Sequence, residues 1–475
     1  MRRAAAVASA SLLLACTPSG KSVPSRSPGR ASADGLNVVL VTIDTLRADH
    51  LGTYGYKRRT SPRIDALARE GTVFDAAYTY WPKTRGSFVM IHTGRRPSQN
   101  GYGPNHPVLL GFNPTIAEVL QKAGYATAAF VDNPNVAAQY GYSKGFDTYR
   151  QTWEEKDLVT EMDRARAITE SAVKYIGEAS AAKPFFLWLH YVNPHAPYTP
   201  PAPFDTAFLD AEAASGPRLP VVAAFHGGIP RQWAVGGQDR RNYYVAQYDG
   251  EIAAADQEVG RVLSALEASP LAPRTAVVLT SDHGESLGEH DYYFDHGEDL
   301  FDPCLAIPLI VVVPGAPRER RSASLASTLD LLPTILDAAK VSYPPDLAGT
   351  SLLPEVVSRG GSARSSPRLY AQNERGLTGA FDRRFKAVAA QGDSGQRFAL
   401  YDREGDPGET RDVSGTLPEA FREWRRAVEL FIEQGDREWA RTRPLVQGHP
   451  EGEGKMTPEA CEKMRALGYV RDCPR

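Results

Sequence analysis

Four short stretches of the chain gather residue types that do chemistry: TIDTLRAD at 42–49, KTRGS at 83–87, HYVNPHAPY at 190–198 and SDHGESLGEHDYYFDHG at 281–297. The carboxylates of Asp44 and Asp282 and the imidazole of His283 form a ligand set for one divalent cation, whether Ca, Mg, Mn or Zn. Such an ion lowers the pKa of a coordinated hydroxyl, and Thr84 is the candidate for that hydroxyl, as metal ligand and as nucleophile. His190, His195, His290 and His296 are groups that could hold a tetrahedral anion or protonate a leaving oxygen. Lys83, Arg85 and Arg47 could give that anion fixed positive charge. Each stretch also has a plainer reading. Asp and His are common in turns, and Thr84, opening the apolar run 88–91, reads equally as a helix cap. The two readings of Thr84 are compatible, because a helix N-terminus also favours anions.

Three of these stretches follow strand-like segments. LNVVLVTID runs into Asp44, PFFLWLHYVNPH into His190 and His195, and RTAVVLTSDHGES into Asp282 and His283. Continuous apolar runs of this kind mark strands buried on both faces, and open α/β sheets bind ligands at the carboxyl ends of such strands. Between them lie helical patterns. SPRIDALAREG has Ser61 as a cap, Pro62 in the first turn and Gly71 as a stop; TIAEVLQKAG and QYDGEIAAADQEVGRVLSAL are amphipathic. The alternation predicts a doubly wound, mostly parallel sheet flanked by helices over 35–365. Beyond about 365, RLYAQN, FKAVAA and RFALYDREGDPGET read as short antiparallel strands, and FREWRRAVELFIEQ as a helix. Residues 366–475 are therefore expected to form a small α+β subdomain and tail.

The chain has 475 residues and a formal net charge of −3, enough for one large domain with an appendage and without the basic field that nucleic-acid binding requires. It begins MRRAAAVASASLLLAC: two arginines, then an apolar run too short to span a bilayer. Residues 1–16 read as an export signal. Leu13-Leu14-Ala15-Cys16 resembles a bacterial lipobox, which implies lipidation of Cys16, a membrane anchor and, with Thr17 following, an outer-membrane address. Residues 17–34, rich in Ser, Pro, Gly and Arg, suit a flexible tether. Cys461 and Cys473 are near enough in sequence to form a disulfide in an oxidising compartment, and Cys304, ahead of LAIPLIVVVP, is expected to be buried.

The stretches NVVLVTIDTLRADHLGTYGY, WLHYVNPHAPYTPP, YDGEIAAADQEVGRVL, TSDHGESLGEHDYYFDHG and LYDREGDPGET, in this order, resemble the sulfatase family of the alkaline phosphatase superfamily. The resemblance runs from about residue 36 to 410 and implies that family's fold, its metal site and its attack on ester-bound anions. It also implies roles: Arg47 matches the arginine after the first metal ligands, His195 the histidine of a Pro-His-x-Pro-Tyr loop, and His290 and His296 fall where the family places a substrate-binding lysine.

The departures bear on chemistry. Family sulfatases carry Cys or Ser, converted to formylglycine, followed by x-Pro-Ser-Arg; here Thr84, Gly86, Ser87 and Phe88 occupy those places. The methyl on the threonine β-carbon blocks conversion to formylglycine. Thr45 stands where many sulfatases have a further metal-binding Asp. The remaining set, Asp44, Thr84, Asp282 and His283, resembles the single-metal site of Thr-dependent phosphotransferases in the superfamily. Three readings follow: a metal-dependent hydrolase or transferase of phosphate esters, diesters favoured; a sulfuric ester hydrolase without formylglycine; or a fold relative that binds glycans or lipid head groups without turnover. In each the partner is a small-molecule, glycan or lipid head-group ester.

Overall fold

The computed structural model describes residues 35–358, 368–392, 395–449, 458–467 and 473. The expected export signal, Cys16 and the 17–34 tether lie outside the described residues, and so does the 365 junction. A nine-stranded sheet forms the centre. Its middle is β1 (Asn37–Ile43), flanked in parallel by β5 (Phe185–Tyr191) and by the strand Thr275–Thr280. Outward from β5 follow β3 (Ala126–Val131) and β4 (Thr148–Gln151), also parallel. On the other side, Leu309–Val312 lies antiparallel between Thr275–Thr280 and β2 (Thr72–Tyr78). Arg320–Ser327 then runs parallel to β2 and Ala306–Ile307 antiparallel to it. This is the doubly wound, mostly parallel α/β sheet expected from the alternation of elements.

Every residue of β1 is buried because alternate side chains enter different layers. Val38 and Leu40 join a core on one face with Phe88, Trp188 and Val278, while Val39, Val41 and Ile43 join the other with Tyr191, Tyr248 and Leu279. Helix α2 (Thr84–Thr93) covers the first face, and α1 (Pro62–Arg69) and the long helix Arg241–Ala268 the second. One capping assignment is corrected: the Ser61 hydroxyl bonds Asp65, and the start of α1 is capped instead by the Asp256 carboxylate, which accepts from the Arg63 and Ile64 N–H groups at 3.0 and 2.8 Å. A carboxylate far away in sequence does a cap's work, which no local pattern announces.

The C-terminal region is an antiparallel meander of Leu369–Gln372, Thr378–Phe381, Phe385–Gly392 and Gly395–Asp402. The helix Pro418–Gly448 lies against it through Trp424, Ala427 and Val428, and extends well beyond the helical pattern around 421–434. Cys461 and Cys473 form a disulfide, and Cys304 is free and buried.

Candidate active site

The polar stretches meet at the carboxyl edge of the sheet. Asp44 follows β1 directly, Asp282 and His283 follow Thr275–Thr280, and His190 is near the end of β5. Adjacent parallel strands with matched registers, Thr42 beside both His190 and Thr280, bring these ends side by side. Ser281 ties the strand ends together: its hydroxyl donates to the Ile43 carbonyl at 2.7 Å and accepts from the Leu46 N–H at 3.0 Å.

Thr84 is the first residue of α2, with Lys83, not Thr84, in the cap position. The Thr84 hydroxyl lies 3.1 Å from His283 Nε2. His283 Nδ1 donates to the Gly284 carbonyl at 2.9 Å, so Nε2 carries the lone pair and faces Thr84. The same Nε2 is 3.3 Å from Asp282 Oδ2 and 3.7 Å from Asp44 Oδ1. Asp44, Thr84, Asp282 and His283 are all fully buried. The space beside Gly86 is taken by the Trp81 ring, which a side chain there would strike at 2.3 Å. Phe88 stands edge-on to the His190 ring at 4.7 Å. The helix thus has aromatic neighbours where the family motif has Pro and Arg.

Asp44 Oδ1, Asp282 Oδ2 and His190 Nε2 have no hydrogen-bond partner among the described residues. Buried polar atoms are ordinarily satisfied, so two orphaned carboxylate oxygens that both lie near His283 Nε2 suit a missing positive species. The ligand atoms of Asp44, Asp282 and His283 lie within 4.8 Å of one another, and oxygens with one imidazole fit a divalent cation. The charges agree. Burial, then the neighbouring negative charge of Asp44, pushes Asp282 well above the usual carboxylate range. Burial opposes the charge of Asp44 too, but the His190 imidazole, then His195 and His283, hold it at about 2. Two adjacent carboxylates in a dry site ionise together only when a cation balances them. Thr45, beside Asp44, is fully buried with φ +53, a strained conformation for a β-branched residue.

Three of the four expected histidines reach this cluster, His190 beside Asp44 at 3.6 Å and two more through His283. The His296 ring is 4.1 Å from that of His283 and 5.2 Å from that of His195. His195 Nδ1 donates to the Ala196 carbonyl at 2.6 Å. His290 does not join them. Its ring stacks on Phe301 at 3.6 Å, and its charged neighbours are Asp299, Glu289, Lys386 and Asp406, because a left-handed turn at φ +54 directs it toward the C-terminal sheet. Arg47 is engaged elsewhere: its guanidinium makes paired bonds to Asp49 at 2.9 and 2.7 Å, and bonds Glu289 at 3.0 Å and the Glu285 carbonyl at 3.1 Å. Four of its five N–H donors are thereby used, so it orders the rim and brings no free charge to an anion. Lys83 runs past Gly297 to a half-exposed ion pair with Glu374 at 3.1 Å, at the edge of the site. Arg85 bonds Asn135 at 3.1 Å and covers the Tyr140 ring.

Sequence reasoning missed two members. Asn133 Nδ2 donates to Asp44 Oδ2 at 2.5 Å, which fixes the carboxylate and leaves Oδ1 free for a ligand. Glu285 Oε1 lies 3.0 Å from His296 Nδ1 and orients that ring. Both were findable by the rule that located Asp44, since Asn133 follows β3 closely and Glu285 belongs to the DHGES turn.

The edge of the sheet thus gathers a group of side chains that could hold a metal ion, and comparisons with known proteins place the chain in a family. The Sulfatase family profile matches residues 36–341, and the profile of the N-sulphoglucosamine sulphohydrolase C-terminal region matches 288–423. The chain belongs to the sulfatase family. It is 28% identical over 353 residues to iduronate 2-sulfatase of Mus musculus, covering 61% of this chain and 62% of that one, so it spans under two thirds of that relative's length. It is 25% identical over 413 residues to the delta 4,5-hexuronate-2-O-sulfatase of Bacteroides thetaiotaomicron, covering 80% and 84%. The phosphonate monoester hydrolase of Agrobacterium radiobacter shares the fold with a TM-score of 0.71 at 20% identity, over 84% of this chain and 96% of that one.

Proposed function

We propose that the protein is a metal-dependent ester hydrolase or transferase in which Thr84 is the nucleophile, with phosphodiesters or other phosphoryl esters as favoured substrates. The observation that carries this reading is the Thr84 hydroxyl, at a helix start and 3.1 Å from His283 Nε2, beside two carboxylate oxygens that lack partners. Asp44, Asp282, His283 and Thr84 are the residues that would hold the cation. Bound there, a divalent ion supplies a lower hydroxyl pKa and neutralises charge on the non-bridging oxygens.

In the first step the Nε2 of His195 or His296 takes the Thr84 hydroxyl proton, the Thr84 Oγ–P bond forms, the P–O bond to the leaving group breaks, and the imidazolium gives that proton to the leaving oxygen. In the second step the histidine takes a proton from water or an acceptor alcohol, whose oxygen bonds phosphorus, the Thr84 Oγ–P bond breaks, and the imidazolium returns the proton to Thr84 Oγ. Both imidazoles suit this alternation because they flank His283 and are oriented by the Ala196 carbonyl and by Glu285.

A second reading, sulfuric ester hydrolysis with Thr84 in place of formylglycine, is favoured by relatives that carry sulfatase names. The two separate in one assay. Purified protein is loaded with Mn, Mg, Ca or Zn and given nitrophenyl sulfate, phosphate, phosphonate and phosphodiester, beside Thr84→Ala as background. Turnover of diester or phosphonate lost in Thr84→Ala supports phosphoryl transfer; cleavage of sulfate alone supports the second reading. No turnover with any metal leaves a binding protein.

We further propose export and anchoring through Cys16. The Cys461–Cys473 disulfide supports an oxidising compartment. Palmitate labelling that survives Cys16→Ala would refute the anchor.

A further inference from the structure

The loop 193–199 presents His195 to the cluster, and a single side chain from another element holds it at both ends. Asn193 Nδ2 donates to Glu251 Oε2 at 2.5 Å, and the Thr199 N–H donates to Glu251 Oε1 at 2.9 Å. Glu251 is 2% exposed and projects from the middle of the helix Arg241–Ala268. Three residues earlier on the same helix face, the Tyr248 hydroxyl donates to the Thr45 carbonyl at 2.7 Å and accepts from the Arg47 N–H at 3.1 Å. One helix therefore fixes two of the loops that build the site. Burying a carboxylate in a helix–sheet interface is costly unless its hydrogen bonds are made, and both oxygens of Glu251 are engaged. Within the loop, the His195 N–H donates to the Val192 carbonyl at 2.9 Å, so the loop's own contacts turn the backbone locally and Glu251 closes it.

We infer that Glu251 is a positioning residue, which sets His195 in place by clamping Asn193 and Thr199 with the two oxygens of one carboxylate. The inference rests on the reading of His195 as a proton donor, and its test separates the two. Displacement of a reacting group by about 1 Å costs about 100-fold, so Glu251→Ala is expected to lower kcat about 100-fold with little change in KM. Glu251→Gln keeps an acceptor for the Thr199 N–H, and Asn193 can turn its amide to match; it should stay within about threefold of the parent, a rescue that simple loss of packing would not show. Added to His195→Ala, Glu251→Ala should cost nothing more, because both act through one imidazole. A full additive loss overturns the clamp.

If His195→Ala retains parental turnover, the proton-donor reading fails and the clamp is judged by hydrogen exchange alone. Glu251→Ala, or Asn193→Ala should the first variant not fold, is expected to speed exchange across 192–200 at least tenfold while leaving 275–283 unchanged. Parental exchange across 192–200 overturns the clamp whatever the activity.

Discussion

Two buried charge clusters in this molecule are built on opposite terms. At the joint between the central sheet and the C-terminal meander, Lys386 Nζ bonds Asp302 at 2.7 Å and Glu409 at 2.7 Å, and Arg403 bonds Asp302 at 2.5 Å. Two cations face two carboxylates, and beyond the burial penalty Lys386 and Arg403 hold Asp302 below the usual carboxylate range. At the carboxyl edge of the sheet two carboxylates face an imidazole that burial keeps uncharged, with its pKa lowered to about 4. Two buried oxygens there accept no hydrogen bond. The cluster at the joint has a cation for each carboxylate and joins two regions; the one at the sheet edge has two carboxylates and, among the described residues, no Lys or Arg bonded to them. The contrast identifies the site better than burial or charge count, since both clusters are buried and charged.

The largest expected effect is on turnover. Thr84→Ala removes the oxygen we propose as nucleophile and should lower kcat by about 1,000-fold or more, while thermal unfolding still shows stabilisation by added cation. Loss of both would mean that Thr84 only holds the metal. Next comes the balanced cluster: Lys386→Met leaves the buried Glu409 without its nearest cation and should cost about 3–5 kcal/mol in urea unfolding. Asp282→Asn, by contrast, relieves like-charge repulsion. In chelator it should leave stability unchanged or raise it by about 1 kcal/mol, and it should abolish the shift on adding cation. Destabilisation of the metal-free protein by Asp282→Asn as severe as that of Lys386→Met would break the comparison.

Glu251 sharpens it further. Burial, then the charge of Glu161, raises its pKa from 4.5 to about 8, with Lys463 acting the other way. Between those values the unfolded chain has lost the proton that the folded chain keeps, so this group's contribution falls as pH rises. Glu251→Gln has no such dependence. Its urea midpoint relative to the parent should therefore climb from pH 5 to pH 8, by a difference on the order of 2–4 kcal/mol. The smallest effect belongs to an exposed pair on the C-terminal helix, Arg425 to Glu429 at 2.8 Å; Arg425→Ala should change stability by about 0.5 kcal/mol or less.

Much of the site was legible because strands buried on both faces are written as unbroken apolar runs, and polar residues immediately after them fall at one edge of the sheet. Asp44, Asp282 and His283 were singled out that way, with Thr84 as the hydroxyl opening the apolar run 88–91. The rule fails where orientation depends on a turn or a distant partner. His290 and His296 are equally histidine in sequence, yet a left-handed turn sends one to Phe301 and Glu285 draws the other to His283. Arg47 matched a family position, but Asp49 and Glu289 absorb its charge.

The sequence by itself determined the doubly wound sheet, the C-terminal meander and the residue types that follow the strands, because hydrophobic periodicity and residue identity are local properties. Only the tertiary structure decided that Thr84 faces His283 instead of capping α2, that Asp256 caps α1, that Asn133 steers Asp44, and that Glu251 holds the His195 loop. Each of these is a hydrogen bond between residues far apart in the chain, and such a bond exists only once the sheet and the helices packed on it have brought its two ends together.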